Sequence, residues 1–146
     1  VTEAWDLMVT YGYLEAEYKD YLADLTGDGI ITDNSGLIPR NTPENTFGFT
    51  TSYTTQIGDG ELKGRISYRF RDEMNSDSSN NPYGDLDSIE NVNATIGYTI
   101  DNYSVTIWGR NLTDEREQRW ATIGGLTSRG WWNEPQTLGI TFAASY

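Results

Sequence analysis

Three groups of residues in this 146-residue chain have the types and spacing to do chemistry. Trp120, Trp131 and Trp132 share a stretch with Arg116, Arg119 and Arg129. Flat rings beside guanidinium groups can stack on a sugar, a flavonoid-like ring or a chelate. The plainer alternative for them is loop packing. Arg65, Arg69 and Arg71 recur at one parity of a single segment, and Arg110 stands on a later one. They suit a polar interior facing acids, with direct ligand contact as the lesser alternative. Asp24-Leu25-Thr26-Gly27-Asp28-Gly29 begins like a calcium loop, with Asp at its first and fifth positions and Gly at its sixth. Its third position is Thr26 and its twelfth is Ser35, where a bidentate Glu belongs, so an Asp/Gly-rich surface turn is expected.

Catalysis finds little support. The chain has no histidine and no cysteine, which removes the commonest general base and the commonest thiol nucleophile and zinc ligand. Its acids lie in loops without a recognisable frame. The sequence therefore predicts neither an enzyme nor a cofactor or metal site. A net charge of −12 also speaks against nucleic acid, whose phosphates demand a basic surface. The Asn-x-Thr/Ser triplets at Asn93, Asn102 and Asn111 match glycosylation sequons and are read as chance.

The elements that must position these groups are strands. In Ala4–Ala16, Trp5, Leu7, Val9, Tyr11 and Tyr13 share one parity, opposite Asp6, Met8, Thr10 and Gly12. Period two marks a strand with one greasy face. The same alternation recurs over 46–55, 61–71, 91–100, 103–110 and 136–146. Polar stretches at about 15–45, 73–88 and 112–134 separate these runs, alternating with tight-turn signals at 57–60 and 101–102. Six antiparallel strands follow, joined long, short, long, short, long.

Such sorting of loop lengths is the habit of a transmembrane barrel, and runs of about 9–11 residues match a tilted membrane strand. A mean hydropathy of −0.61 does not oppose this, because every second barrel residue faces a polar lumen. Aromatics are expected at two rims: Trp5, Tyr53, Tyr98, Tyr103 and Tyr146 by the short turns, and Tyr11, Tyr13, Phe47, Tyr68 and Phe70 by the long loops.

Several segments carry a resemblance. The final run has Leu138, Ile140, Phe142, Ala144 and Tyr146 at alternate positions and ends on an aromatic. It resembles the C-terminal signal that outer-membrane barrels present to their assembly machinery. Trp108-Gly109-Arg110-Asn111-Leu112-Thr113-Asp114-Glu115 is similar to the penultimate-strand ending of TonB-dependent receptors. Asn133-Glu134-Pro135-Gln136-Thr137-Leu138-Gly139 resembles their approach to the last strand, with Gln136 where Arg is usual. Asn41-Thr42-Pro43-Glu44-Asn45-Thr46-Phe47 and Tyr11-Gly12-Tyr13-Leu14-Glu15-Ala16-Glu17-Tyr18 resemble a downward and an upward strand of that family.

The resemblance runs over nearly the whole chain. It implies an all-β, antiparallel transmembrane β-barrel fragment, the last six strands of a large plugged barrel, with residues 1–146 as one C-terminal unit and Tyr146 as the true terminus. It implies a Gram-negative outer-membrane location and import of a bulky nutrient: siderophore, vitamin, oligosaccharide or chelate. The partners it implies are the lipid bilayer, the protein's own plug domain, the TonB system through an upstream part, and the assembly machinery. Arg65, Arg69, Arg71 and Arg110 would face the lumen, and Trp120, Arg129, Trp131 and Trp132 would be the loop residues nearest a small-molecule or oligosaccharide ligand. A passive porin-like barrel and a soluble β-sandwich carbohydrate-binding module are the alternatives.

Overall fold

The computed structural model describes residues 4–116, 118–124 and 127–146, without the side chains of residues 120–124 and 127–128. The chain is all-β, and six strands pair in chain order into one antiparallel sheet. They are β1 (Ala4–Tyr13), β2 (Asn45–Ile57), β3 (Gly60–Arg71), β4 (Ile89–Ile100), β5 (Tyr103–Arg110) and β6 (Thr137–Ala144). β1 stops short of the expected Ala16, and beyond Tyr13 only the Leu14 amide reaches across, donating to the Glu44 carbonyl at 2.9 Å. β2, β3 and β4 start earlier than alternation suggested, and β6 ends before Tyr146. The sheet does not close, leaving β1 and β6 as its two edges.

Two-residue turns join β2 to β3 and β4 to β5 at one end. There Gly58 (φ 59°) and Asp101 (φ 47°) supply the left-handed backbone that such a reversal needs. All three long connections lie at the other end. The third of them differs from expectation. Instead of a loop over 112–134 it holds a hairpin, Gln118–Gly124 paired with Thr127–Trp132. Thr, Ile and Trp favour strand, but a run this short does not reveal whether it has a pairing partner. Small ribbons also form in the other two connections, Leu22–Ala23 with Thr32–Asp33 and Met74–Asn75 with Asp85–Leu86.

Register matters most here, because a slip of one residue would turn a whole strand over. Leu7 faces Thr51, Thr51 faces Ile66, Ile66 faces Ala94, and Gly109 stands between Ala94 and Leu138. The row nearer the short turns runs Trp5, Tyr53, Gly64, Ile96, Ile107, Ile140. The next runs Thr55, Leu62, Tyr98, Val105, Phe142. Towards the long loops come Val9, Phe49, Tyr68, Val92 and then Tyr11, Phe47, Phe70. All the apolar parities read from the sequence therefore coincide on one face. Aromatics crowd its upper and lower rows and are missing from the central one.

Nothing among the described residues covers that face. Leu7, Ile66, Ile96 and Phe142 keep 59%, 50%, 49% and 75% of their surface. Among the described residues the buried apolar side chains are Leu86 and Ile89, which sit at the foot of the second long connection. Two aromatic rings lie flat on glycines. A Cβ at Gly60 would meet the Tyr98 ring and one at Gly139 the Trp108 ring, so both positions require the missing side chain.

Candidate functional site

The opposite face carries the chemistry. Lys63, Arg65, Arg69 and Arg71 on β3 and Arg110 on β5 share it with Asp6, Glu61 and a field of Ser, Thr and Asn. The structure thus brings all four sequence-predicted arginines to one side. Arg71 is anchored at the top, with Nη2 donating to the Asp87 carbonyl at 3.1 Å. Arg110 lies over the Trp108 ring, 5.2 Å from its centroid. Trp108 is itself fixed, since its indole N–H donates to Thr141 Oγ1 at 3.1 Å while the ring lies against Gly139. Among the described residues, Arg65 and Arg69 have neither a hydrogen bond nor an ion pair.

Two cavities open on this face. One of about 720 Å³ is lined by Arg65, Ser67, Asn93, Thr106, Trp108 and Arg110, among others. The second, about 650 Å³, lies where the third long connection overhangs the sheet, between Arg69, Asn91, Arg110, Arg119, Trp132 and Glu134. Both volumes fall in the small-molecule range. A third hollow of about 830 Å³ lies on the apolar face between Trp5, Ile66, Ile107 and Leu138. Its lining offers almost no polar group to orient a ligand.

The expected tryptophan cluster comes apart. Strand alternation puts Arg129 and Trp131 on one face of the hairpin and Trp132 on the other. Trp132 lines the overhung cavity, and the strongly exposed Trp131 does not. Trp120 pairs with Trp131 through the backbone, and its side chain lies outside the described residues. Of the terminal run, Leu138, Ile140 and Phe142 stand exposed on the apolar face. Ala144 pairs with Tyr103 at its foot, and Tyr146 extends past the strand.

Sequence reasoning missed the residue that holds this site together. Asn111, 4% exposed with φ 49°, follows β5 and gathers three segments. Its Nδ2 donates to the Glu115 and Glu134 carbonyls at 3.0 and 3.1 Å. Its Oδ1 accepts from Asn91 Nδ2, Thr113 Oγ1 and the Glu115 amide, and its own amide donates to Asn93 Oδ1 at 3.0 Å. Nearby, Gln136 Nε2 donates to the Leu112 carbonyl at 3.1 Å, and Asp114 Oδ1 accepts the Gln136 amide at 3.2 Å. Gln136 thus ties the start of β6 to the segment that follows β5. The available signal was Asn-Leu-Thr-Asp directly after a strand, because Asn and Asp tolerate left-handed backbone and bond to it. Asp114 uses the same freedom, with φ 53°.

The calcium-like loop is organised around Asp24. Its Oδ1 accepts from the Gly27 and Asp28 amides at 2.7 and 3.2 Å and from Thr26 Oγ1 at 3.2 Å, and its Oδ2 accepts from the Gly29 amide at 2.7 Å. Gly27 and Gly29 take positive φ to aim those amides. Among the described residues no three carboxylates gather as metal ligands would. The bond from Gly29, then those from Gly27, Thr26 and Asp28, hold the Asp24 carboxyl below its ordinary range despite some desolvation. A depressed carboxyl stabilises the loop above its unfolded value near 3.8, and that contribution fades as pH falls through the lower folded value. Amide exchange at Gly27, Asp28 and Gly29, corrected for intrinsic rate, should therefore speed up below about pH 4, and Asp24→Ala should remove this protection at every pH.

The fold and site define an open antiparallel meander with one uncovered apolar face and one basic, cavity-bearing polar face. No protein-family description, curated protein or solved structure matches the chain. Among the described residues no helix is long and apolar enough to cross a membrane, which has no bearing on strands.

Proposed function

We propose that this chain is wall and loop of a TonB-dependent transporter in a Gram-negative outer membrane, a β-barrel that imports a bulky nutrient past its own plug. One observation carries the reading. Among the described residues a six-stranded sheet keeps an entire apolar face in register and uncovered, with a central row free of aromatics between rows that carry them. In water such a face is a large liability, whereas in a bilayer it is the outer surface of a barrel with aromatic girdles. The long connections gather at one end, as extracellular loops do, and the two-residue turns at the other. The two free edges suit a segment whose neighbouring strands complete a closed barrel, since a membrane tolerates no open edge. Leu138, Ile140, Phe142, Ala144 and Tyr146 lie on or just past the β6 edge, where the assembly machinery could add a strand.

The test is biochemical. The intact protein should need detergent and migrate faster on gels before boiling than after. Monodisperse behaviour without detergent would reject the membrane reading. It would favour a soluble β-sandwich instead, whose second sheet would fill the 830 Å³ hollow on the apolar face.

Ligand contact is assigned to the overhanging hairpin. Trp132→Ala in the intact transporter should weaken nutrient affinity roughly ten-fold, the scale of one desolvated stacking contact. Trp131→Ala, which alters the other face of the hairpin, should leave affinity within about two-fold, since outside the contact little binding energy is at stake. Equal effects of the two variants in a binding titration would reject this division.

A further inference from the structure

We propose that Arg65, Arg110 and Trp108 form a site for a carboxylate or phosphate group carried by a small-molecule ligand. The inference rests on the transporter reading only in taking that ligand to be the cargo.

The sign of the charge on this face suits an anion. The chain as a whole stands at −12. The polar face collects five of its ten basic side chains, and Asp6 and Glu61 are the acids that share it. Neither acid lines the 720 Å³ cavity, which Arg65 and Arg110 both do. Asp6 is engaged elsewhere, its carboxylate accepting from Ser52 Oγ at 3.4 Å.

The cavity lining also holds donors that have no protein partner among the described residues. Among the described residues Arg65 makes no hydrogen bond or ion pair, and Arg110 has only the Trp108 ring. The hydroxyls of Ser67, Thr95 and Thr106 in the same lining are likewise unbonded among the described residues. The site therefore offers two guanidinium forks and three neutral donors, an excess that an oxyanion satisfies with charge-assisted bonds.

The two arginines also lie close enough to share one group. Trp108 faces Thr95 across the ladder, and Thr95 faces Arg65; Arg110 stands two residues beyond Trp108 on the same strand and lines the cavity with Arg65. Strand spacing and rise put the two arginine backbones roughly 12 Å apart on a diagonal, within reach of one bound anion between their side chains. Trp108, pinned by Thr141 and seated on Gly139 towards β6, carries the Arg110 guanidinium 5.2 Å from its ring centroid and so holds that fork in place. With the Arg110 fork so held and Arg65 lining the same cavity, an anionic group there can meet both guanidinium groups.

The intact outer-membrane protein in detergent is titrated calorimetrically with citrate and, separately, with inorganic phosphate. The two arms tell a carboxylate ligand from a phosphate one. At least one anion should bind, and 0.5 M NaCl should weaken it, as screening requires. Arg65→Gln and Arg110→Gln should each weaken it at least ten-fold and the double variant should abolish it, with Lys19→Gln, in the first long connection, as the unaffected control. Absence of binding for both anions, or wild-type affinity in the double variant, overturns the proposal. Binding that emerges only after the plug is deleted also overturns it, and assigns the arginines to a plug carboxylate. Heat-modifiable migration of the same preparations reports barrel formation independently. A protein that fails that assay refutes the transporter reading, and the titration still judges the anion site.

Discussion

On the proposed reading, in which the apolar face meets lipid, Ile66→Arg is expected to destabilise the protein by about 2–4 kcal/mol, the cost of a cation near the bilayer midplane. Ile66 sits in the central apolar row between Thr51 and Ala94, away from both aromatic rows where a long side chain could snorkel. The adjacent position on the opposite face provides the control. Ser67 lies in the same strand beside Ile66 and lines the polar cavity, so Ser67→Arg should change stability by no more than about 0.5 kcal/mol. Unfolding by denaturant in lipid vesicles, with equal slopes for both variants, measures the difference. A half-exposed isoleucine facing water would instead tolerate arginine within about 0.5 kcal/mol. Near-equal stabilities of the two variants would therefore remove lipid from the apolar face.

Asn111→Ala should be the most damaging single change outside that face. It takes both donors from the Glu115 and Glu134 carbonyls and the acceptor from the Glu115 amide. It also leaves a Cβ residue without Asn's local bonding in left-handed backbone at φ 49°. Unsatisfied buried groups cost about 1–3 kcal/mol each, and relaxation towards water should bring the total to roughly 3 kcal/mol. The effect should be local. The third long connection should become protease-sensitive while β1 to β4 keep their amide protection. Asn111→Asp keeps the acceptor but loses both donors and sets a charge against two carbonyls, so it should be no better than Ala. Asn111→Gly, which relieves the backbone but restores no bond, should recover only the conformational part, about 1 kcal/mol. Full recovery by Gly would show that the side-chain bonds contribute nothing.

These two expectations differ in how visible they were beforehand. Ile66 declares itself in the sequence, because Leu62, Gly64, Ile66, Tyr68 and Phe70 alternate with charged and hydroxylic residues, and alternation is a local property of extended backbone. Asn111 stands in a run with a resemblance, and its bonds to Glu115 are local, but its partners at 91, 93 and 134 come from distant segments that meet only when the sheet has formed. The same holds for Trp131 and Trp132. Their chemistry was evident, but the hairpin pairing that points them apart was not.

By itself the sequence determined the strand class, the six alternating runs, the sorting of long and short connections, and the parity of Arg65, Arg69, Arg71 and Arg110. All of these follow from side-chain period and turn chemistry within a few residues. The tertiary structure alone decided which residues of the greasy parities stand opposite one another in rows, the Asn111 junction, and the shared cavity of Arg65 and Arg110. Register and junction are set by hydrogen bonds between segments far apart in the chain, and local alternation is equally compatible with every even-numbered slip.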